Sequence, residues 1–432
     1  MARKKWQFYT AEGFRDYLPP ACRRKREIEA CLRRYFRLCD CEEIATPGLE
    51  FYQVYAASDF ADDESLFKLS DEAGRLLTLR YDGTIPALRL AATKLQAAAR
   101  SPRLFYIQNM FRFNEGGGGR QREFTQAGLE LLATPGLLAD AEAIALAIEA
   151  SRQIGLPSLQ VSLGHVGFSK ALFSAWNLNG EARAELSTRI DERNQWGVLA
   201  LAESLGLPAS ARRILELCFD RPLMEEELRS LCRSPELAFP DAARSELANL
   251  LAVMERLRDW GFAEYLAADL GLLQSMNYYT GLAYKGFTYG LGFPLFSGGR
   301  YDRAATGFGA EIPATGFSLG VDEALRALEA QGVPAPEEPP LALLALDPES
   351  PASARDAGRL DAALWSELRE ARKAGFRARL LTESEIQSLL AELPGFADKL
   401  AFEVRARRAA ARLGAAELRL LSESGVRRIE VN

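Results

Sequence analysis

Apolar and polar positions alternate with two different periods along the chain, and the changes of period mark its elements. In residues 23–38, Ile28, Cys31, Leu32, Tyr35, Phe36 and Leu38 recur at mostly helical spacing with charges opposite, which predicts a helix. A strand around Ile44 follows and ends at Pro47. Two apolar runs flanking Ser70, Asp71, Glu72, Ala73 and Gly74 predict a hairpin within 66–84. Residues 85–99 return to helical spacing. The runs 102–114 and 122–133 alternate as strands and predict an antiparallel pair, with Gly116, Gly117, Gly118 and Gly119 in the connection. A helix over 139–154 and a strand over 159–166 come next. Residues 168–262 read as almost wholly helical, broken at Pro208, Pro222 and 234–240.

Strand signals resume in 277–292. SGGRYD (297–302) reads as a turn, TGFSLG (315–320) as a strand, and 321–330 as a helix. Four prolines in VPAPEEPP make 333–340 a linker. Beyond it come a strand at 341–347, a helix around 354–375, a strand at 376–381, and a further helix and strand. The pattern predicts an α+β core on an antiparallel sheet over 1–332, with a helical insertion at about 168–262, and a small α/β domain over 341–432.

Composition removes several chemistries. The net charge of -6 lacks the basic excess of a nucleic-acid binder, and the basic run 405–412 is spaced like a solvated helix face. The six cysteines, Cys22, Cys31, Cys39, Cys41, Cys218 and Cys232, show no paired CxxC spacing, so neither a zinc site nor a disulfide framework is expected. Their pattern fits a reducing, cytoplasmic compartment. No signal peptide is legible, and no run reaches the ~18 apolar residues of a membrane span. His165 is the single histidine, so a multi-histidine metal site is excluded and a Ser-His-Asp triad would have to use that one residue. Its strand-end context suits a structural role. No Gly-Lys-Ser/Thr follows the glycines at 116–119, which rules out a P-loop.

The segments EGFRDYLPP, LTLRYDGT, FRFNEGGGGRQREFTQAGLE, QSMNYYTG, and SGGRYD followed by ATGFSLG resemble, in order, the class II aminoacyl-tRNA synthetase core of histidyl-tRNA synthetase. The resemblance spans most of 11–330. It implies that 23–47 is motif one, through which the chain would self-associate. It places motif two at about 104–132 and motif three at about 312–330. The C-terminal block resembles the anticodon-binding domain only in length and order of elements.

In that family an acid, a threonine and a glutamine bind the amino acid's ammonium, and Asp82, Thr84 and Gln126 match them. A glutamate and a tyrosine hold the imidazole, matched by Glu130 and Tyr279, with Tyr278 beside them. Gln126 and Glu130 share a face of one strand. Arg112, Arg120 and Arg122 match motif-two arginines that face phosphate, and Arg112 could equally hold a carboxylate. Two positions depart. The arginine expected at 274 is Gln274, which loses the fixed charge. The motif-three arginine is replaced by Glu323, which repels a triphosphate; Arg326 follows one turn on.

A pocket that suits histidine on a core that cannot activate it is similar to the regulatory subunits of ATP phosphoribosyltransferase, paralogues of the synthetase. This resemblance implies a non-catalytic partner of the short-form catalytic subunit in histidine biosynthesis, binding free histidine and needing no cofactor, metal, membrane or nucleic acid. A divergent active histidyl-tRNA synthetase and an RNA-binding paralogue are the alternatives. Whether histidine acts in the synthetase-like pocket or at a subunit junction stays open at this point, as does the role of 341–432.

Overall fold

The computed structural model describes residues 6–56, 61, 63–95, 101–113, 121–235, 237, 239–272, 279–349, 357–391 and 399–431. Gln274, Tyr278, Arg120 and the glycines at 116–119 lie outside these residues. The chain divides into two compact units, Met1–Pro334 and Ala335–Asn432. Residues 333–340 carry no helix or strand.

In the first unit the strands are β1 (Glu42–Glu43), β2 (Leu49–Phe51), β3 (Lys68–Ser70), β4 (Leu76–Leu79), β5 (Arg103–Phe111), β6 (Glu123–Leu132), β7 (Gln160–His165), β8 (Leu266–Ala268), β9 (Leu282–Phe287), β10 (Phe296–Arg300) and β11 (Ala314–Gly320). Eight of them form one sheet, in the order β1-β5-β6-β11-β10-β9-β7-β8. Its interior pairs are antiparallel, and only the two outermost pairs, β1 with β5 and β7 with β8, are parallel. The class II synthetase-like α+β core expected from the sequence is therefore present.

The helix Pro19–Leu38 starts on two prolines, which fit a first turn because its N–H groups are unpaired in any helix. Ile28, Leu32 and Phe36, four residues apart, are buried. Phe36 packs its ring 5.4 Å from Phe105 and 6.0 Å from Phe317, so the helix lies on the sheet. Leu38, counted in the apolar face from spacing alone, is exposed at the helix end. The helix is locked to Val321–Ala330 by a buried pair, Lys25 Nζ to Asp322 Oδ1 at 2.9 Å. Asp322 also accepts from the Tyr17 hydroxyl and, at 2.6 Å, from the Thr125 N–H of β6. A charge so far from water persists only when its lone pairs are used in this way.

The 66–84 hairpin forms as β3 and β4, which join β2 in a small sheet. Asp71 accepts from the N–H groups of Ala73 and Arg75, and Gly74 takes the positive φ of 74° that the turn demands. Of the helix expected over 85–99, Thr84–Leu90 is α-helical and Ala91–Leu95 winds as a π turn, while 96–99 lie outside the described residues.

The insertion consists of helices Val166–Ala175, Gly180–Asp191, Gln195–Ser204, Ala209–Leu217, Glu225–Arg233 and Asp241–Asp259. Pro208 and Pro240 sit at the N-caps of two of them. The three-residue β8 right after the insertion had no sequence signal of its own.

SGGRYD is not a turn. Residues 296–300 are β10, a central strand between β9 and β11. Gly298 and Gly299 read as breakers, yet a Cβ at Gly298 would collide with the Gly316 carbonyl and the Tyr284 ring, and one at Gly299 would sit 2.6 Å from the Tyr279 ring. Glycine here makes room for tyrosines across the sheet.

In the second unit, strands β12 (Leu341–Leu346), β13 (Arg377–Leu380), β14 (Glu417–Ser422) and β15 (Gly425–Glu430) run in the order β13-β12-β14-β15. Leu343 and Ala345 face a cluster with Phe402, Ala406 and Ala410 of the helix Lys399–Arg412. Ala342 and Leu344 face Leu360, Leu364 and Leu368 of Ala357–Lys373. The strand is thus apolar on both faces, as a sheet covered on two sides requires. Among the described residues, no helix is long and apolar enough to cross a membrane.

Candidate functional site

A cleft of about 270 Å³ opens on one face of the large sheet. Asp82, Thr84, Arg112, Gln126, Glu130, Tyr279 and Glu323 all line it. Segments up to about 240 residues apart in sequence thus meet at one place. The volume sits just under the low end of the ~300–1,000 Å³ range of small-molecule sites, which matches one amino-acid-sized ligand.

Backbone geometry explains the convergence. Gln126, Gly128 and Glu130 alternate on β6, so their side chains share the cleft face. Tyr106 of β5 lies opposite Gly128 and fills the space that the glycine leaves, while Gly83 leaves room for the same ring. Asp82 and Thr84 stand where β4 turns into the Thr84–Leu90 helix, and Asp82 Oδ1 accepts the Ile85 N–H at 3.2 Å.

Glu130 is the hub. It is buried and accepts from the Thr84 hydroxyl at 2.8 Å, the Tyr106 hydroxyl at 3.4 Å and the Tyr301 hydroxyl. Burial pushes its pKa up to about 8, against the opposing hydrogen bonds from Tyr301 and Thr84, and with a further push from the nearby Asp82 charge. Burial likewise raises Asp82 to about 7; the Ile85 N–H and the positive Arg112 resist the rise. Two desolvated acids in one cleft form an environment that a bound cation stabilises.

Tyr279 is buried, packs edge-on against Tyr301 at 6.4 Å between ring centroids, and has its carbonyl held at 3.0 Å by Lys170 of the insertion's first helix. Arg112 lies over the rings of Tyr81 and Phe124, at 4.7 and 5.1 Å. Arg122 is not in the cleft. Its guanidinium points to the Glu12 carbonyl at 3.5 Å and packs 5.3 Å from the Phe113 ring, so the phosphate-facing expectation fails for it. Glu323 sits in the first turn of Val321–Ala330, folded toward Gly320, and Arg326 reaches it at 3.3 Å while stacking 5.5 Å from Phe293. The cleft therefore presents the Glu323 carboxylate, and Arg326, one turn on, partners it.

Tyr106 and Tyr301 were missed as site residues. Tyr301 belongs to the SGGRYD segment, and its hydroxyl role appears only once β10 is known to lie two strands from Glu130. His165 ends β7, and its Nε2 is 3.4 Å from Glu246, with burial lowering its pKa; this is the structural role expected of it. Among the described residues no group of three His, Cys, Asp or Glu side chains could hold a metal.

The sequence profile of the family described as histidyl-tRNA synthetase matches residues 13–324. A histidyl-tRNA synthetase structure from Nostoc sp. PCC 7120 superposes with a TM-score of 0.73 over 98% of this chain and 97% of that one, at 19% identity, which speaks for the fold. The ATP phosphoribosyltransferase regulatory subunit of Acetivibrio thermocellus is 40% identical over 330 residues, covering 76% of this chain and 78% of the relative. The chain belongs to the ATP phosphoribosyltransferase regulatory subunits, within the histidyl-tRNA synthetase family. A regulatory subunit/histidyl-tRNA synthetase structure from Bacillus halodurans C agrees, with a TM-score of 0.76 and 29% identity, over 93% of this chain and 97% of that one. Membership among the regulatory subunits ties the chain to histidine biosynthesis.

Proposed function

We propose that this chain is a non-catalytic histidine sensor that assembles with a short ATP phosphoribosyltransferase catalytic subunit and carries feedback by histidine. The carrying observation is the pair of buried acids, Asp82 and Glu130, in a cleft sized for one amino acid. Asp82 with Thr84 and Gln126 provides acceptors for an ammonium, and Glu130 with Tyr279 and Tyr278 provides the imidazole end. Arg112 offsets the charge beside Asp82. Gln274 and Glu323 remove the positive charge that a triphosphate needs, so the cleft would bind the amino acid and leave it unactivated.

Regulation requires that histidine favour one state of the assembly over another; a ligand with equal affinity for both shifts nothing. The helix Val321–Ala330 supplies a physical route for such a difference within this chain. Its first turn places Glu323 in the cleft and Asp322 on Lys25 of the Pro19–Leu38 helix, the segment proposed to self-associate.

Calorimetry with free histidine tests the site. Binding is expected, and Glu130→Ala should weaken it by about 1–3 kcal/mol, the usual cost of leaving a buried polar partner unsatisfied. Unchanged affinity in that variant would move histidine to another site.

A further inference from the structure

Beyond the acids, the cleft floor carries a second polar row. Ser318 of β11, Ser297 of β10 and Lys285 of β9 are direct register neighbours, so they share one face of the sheet, and all three line the cleft. On the β6 side the row reaches Gly128, between Gln126 and Glu130. The adjoining row from Glu130 runs through Gly316 and Gly299. Without side chains there, Tyr279 and Tyr301 occupy the space, and the floor is zoned: acids and tyrosines at one end, hydroxyls and an ammonium beyond them.

The zoning matches the one part of an amino acid that the acids cannot hold. Its ammonium and imidazole are cationic partners for Asp82 and Glu130, but its carboxylate needs donors and positive charge. The synthetase motif's arginine is absent at Gln274, and Glu323 is offset by Arg326 at 3.3 Å. Lys285 stands three strands from β6, roughly 14 Å of sheet at the usual spacing, and its flexible four-carbon stem lets the ammonium work over the serines beside it. Burial raises the pKa of Asp191 of the insertion, and Lys285 is close enough to oppose that rise.

We propose that Lys285, with Ser297 and Ser318, forms an oxyanion subsite that reads the α-carboxylate of the amino acid held in the cleft. Lys285 is then a specificity determinant for a free amino acid. The inference rests on the histidine-binding reading of the same cleft.

The test compares histidine with histidinol, which keeps the imidazole and ammonium and lacks the carboxylate, by calorimetry on the full chain. The wild type should prefer histidine by about 10- to 100-fold, the range of a charged hydrogen bond. Lys285→Met should lose most of that preference by weakening histidine while leaving histidinol unchanged, and Lys285→Arg should retain it. Unchanged histidinol binding also shows that the Met variant is folded; if it is not, Lys285→Gln takes its place in the same comparison. A preference undiminished by loss of the lysine overturns the inference and points to Arg112. Inorganic phosphate binding that depends on Lys285, with histidine indifferent to it, also overturns it, since the subsite would serve a separate anion. If the wild type binds neither histidine nor histidinol, the histidine reading itself falls.

Discussion

Histidine-dependent exchange of pyrophosphate into ATP by this chain should fall at least about 10,000-fold below a working synthetase. Adenylation builds charge on the phosphates in its transition state, and preorganised positive groups are the main stabilisers of such charge. On the proposed reading two of them are replaced, one by Gln274 and one by Glu323. Loss of one preorganised contact of this kind costs about 2.7–4 kcal/mol. Two together amount to roughly 5–8 kcal/mol, or about four to six orders of magnitude in rate. Glu323 adds to this, because it lines the cleft as a carboxylate and draws Arg326 to itself. Exchange at a synthetase-like rate would restore the reading of a divergent but active histidyl-tRNA synthetase.

Histidine affinity should be highest between about pH 7 and 8 and fall by two to three orders of magnitude on acidification to pH 5.5. Binding the ammonium requires ionised Asp82, whose pKa is about 7 in the free protein, so this contribution weakens tenfold per pH unit below 7. The imidazole behaves differently. Free imidazole loses its proton above about pH 6.5, whereas Glu130 keeps one up to about 8. Between those values the pair already holds the single proton it shares when bound, and no proton is exchanged with solvent. Below about 6.5 both partners are protonated and one proton must leave, which adds a second tenfold loss per unit. Calorimetry at several pH values reads this directly, and Asp82→Asn should remove one of the two acid components. Affinity that is flat from pH 5.5 to 7.5 would contradict the assignment of both acids.

The same shifts fix the sign of the stability effect. Both folded-state values are raised, so the stability these groups contribute is complete below their unfolded values near 4 and is lost as pH rises through about 7 and 8. Glu130→Gln should therefore gain thermal stability at pH 8 and little at pH 4, while binding histidine less well.

Much of the site was legible because its chemistry is written in short segments. The spacing of Gln126 and Glu130 placed both on one strand face, and the cleft contains them. What the sequence hid was set by partners distant along the chain. Gly298 and Gly299 read as a turn because glycine breaks isolated segments; only the Tyr279 and Tyr284 rings explain them as strand residues. The hydroxyls of Tyr106 and Tyr301 meet Glu130 from positions 24 and 171 residues away, where no local pattern reaches. Arg122 followed its motif in sequence, but the 12–13 segment supplies the carbonyl that draws its side chain from the cleft. Leu38 matched the apolar face by spacing and is exposed because it ends the helix.

The central claim is that this chain acts through a catalytic partner and reports histidine to it. Mixing the full chain with a short-form ATP phosphoribosyltransferase subunit and measuring phosphoribosyl-ATP formation, with and without histidine, tests it most directly. The account predicts a rise in activity over the short subunit alone, suppressed by histidine, with the suppression weakened in Glu130→Ala. No rise in activity, together with separate elution of the two chains on size exclusion, would contradict it.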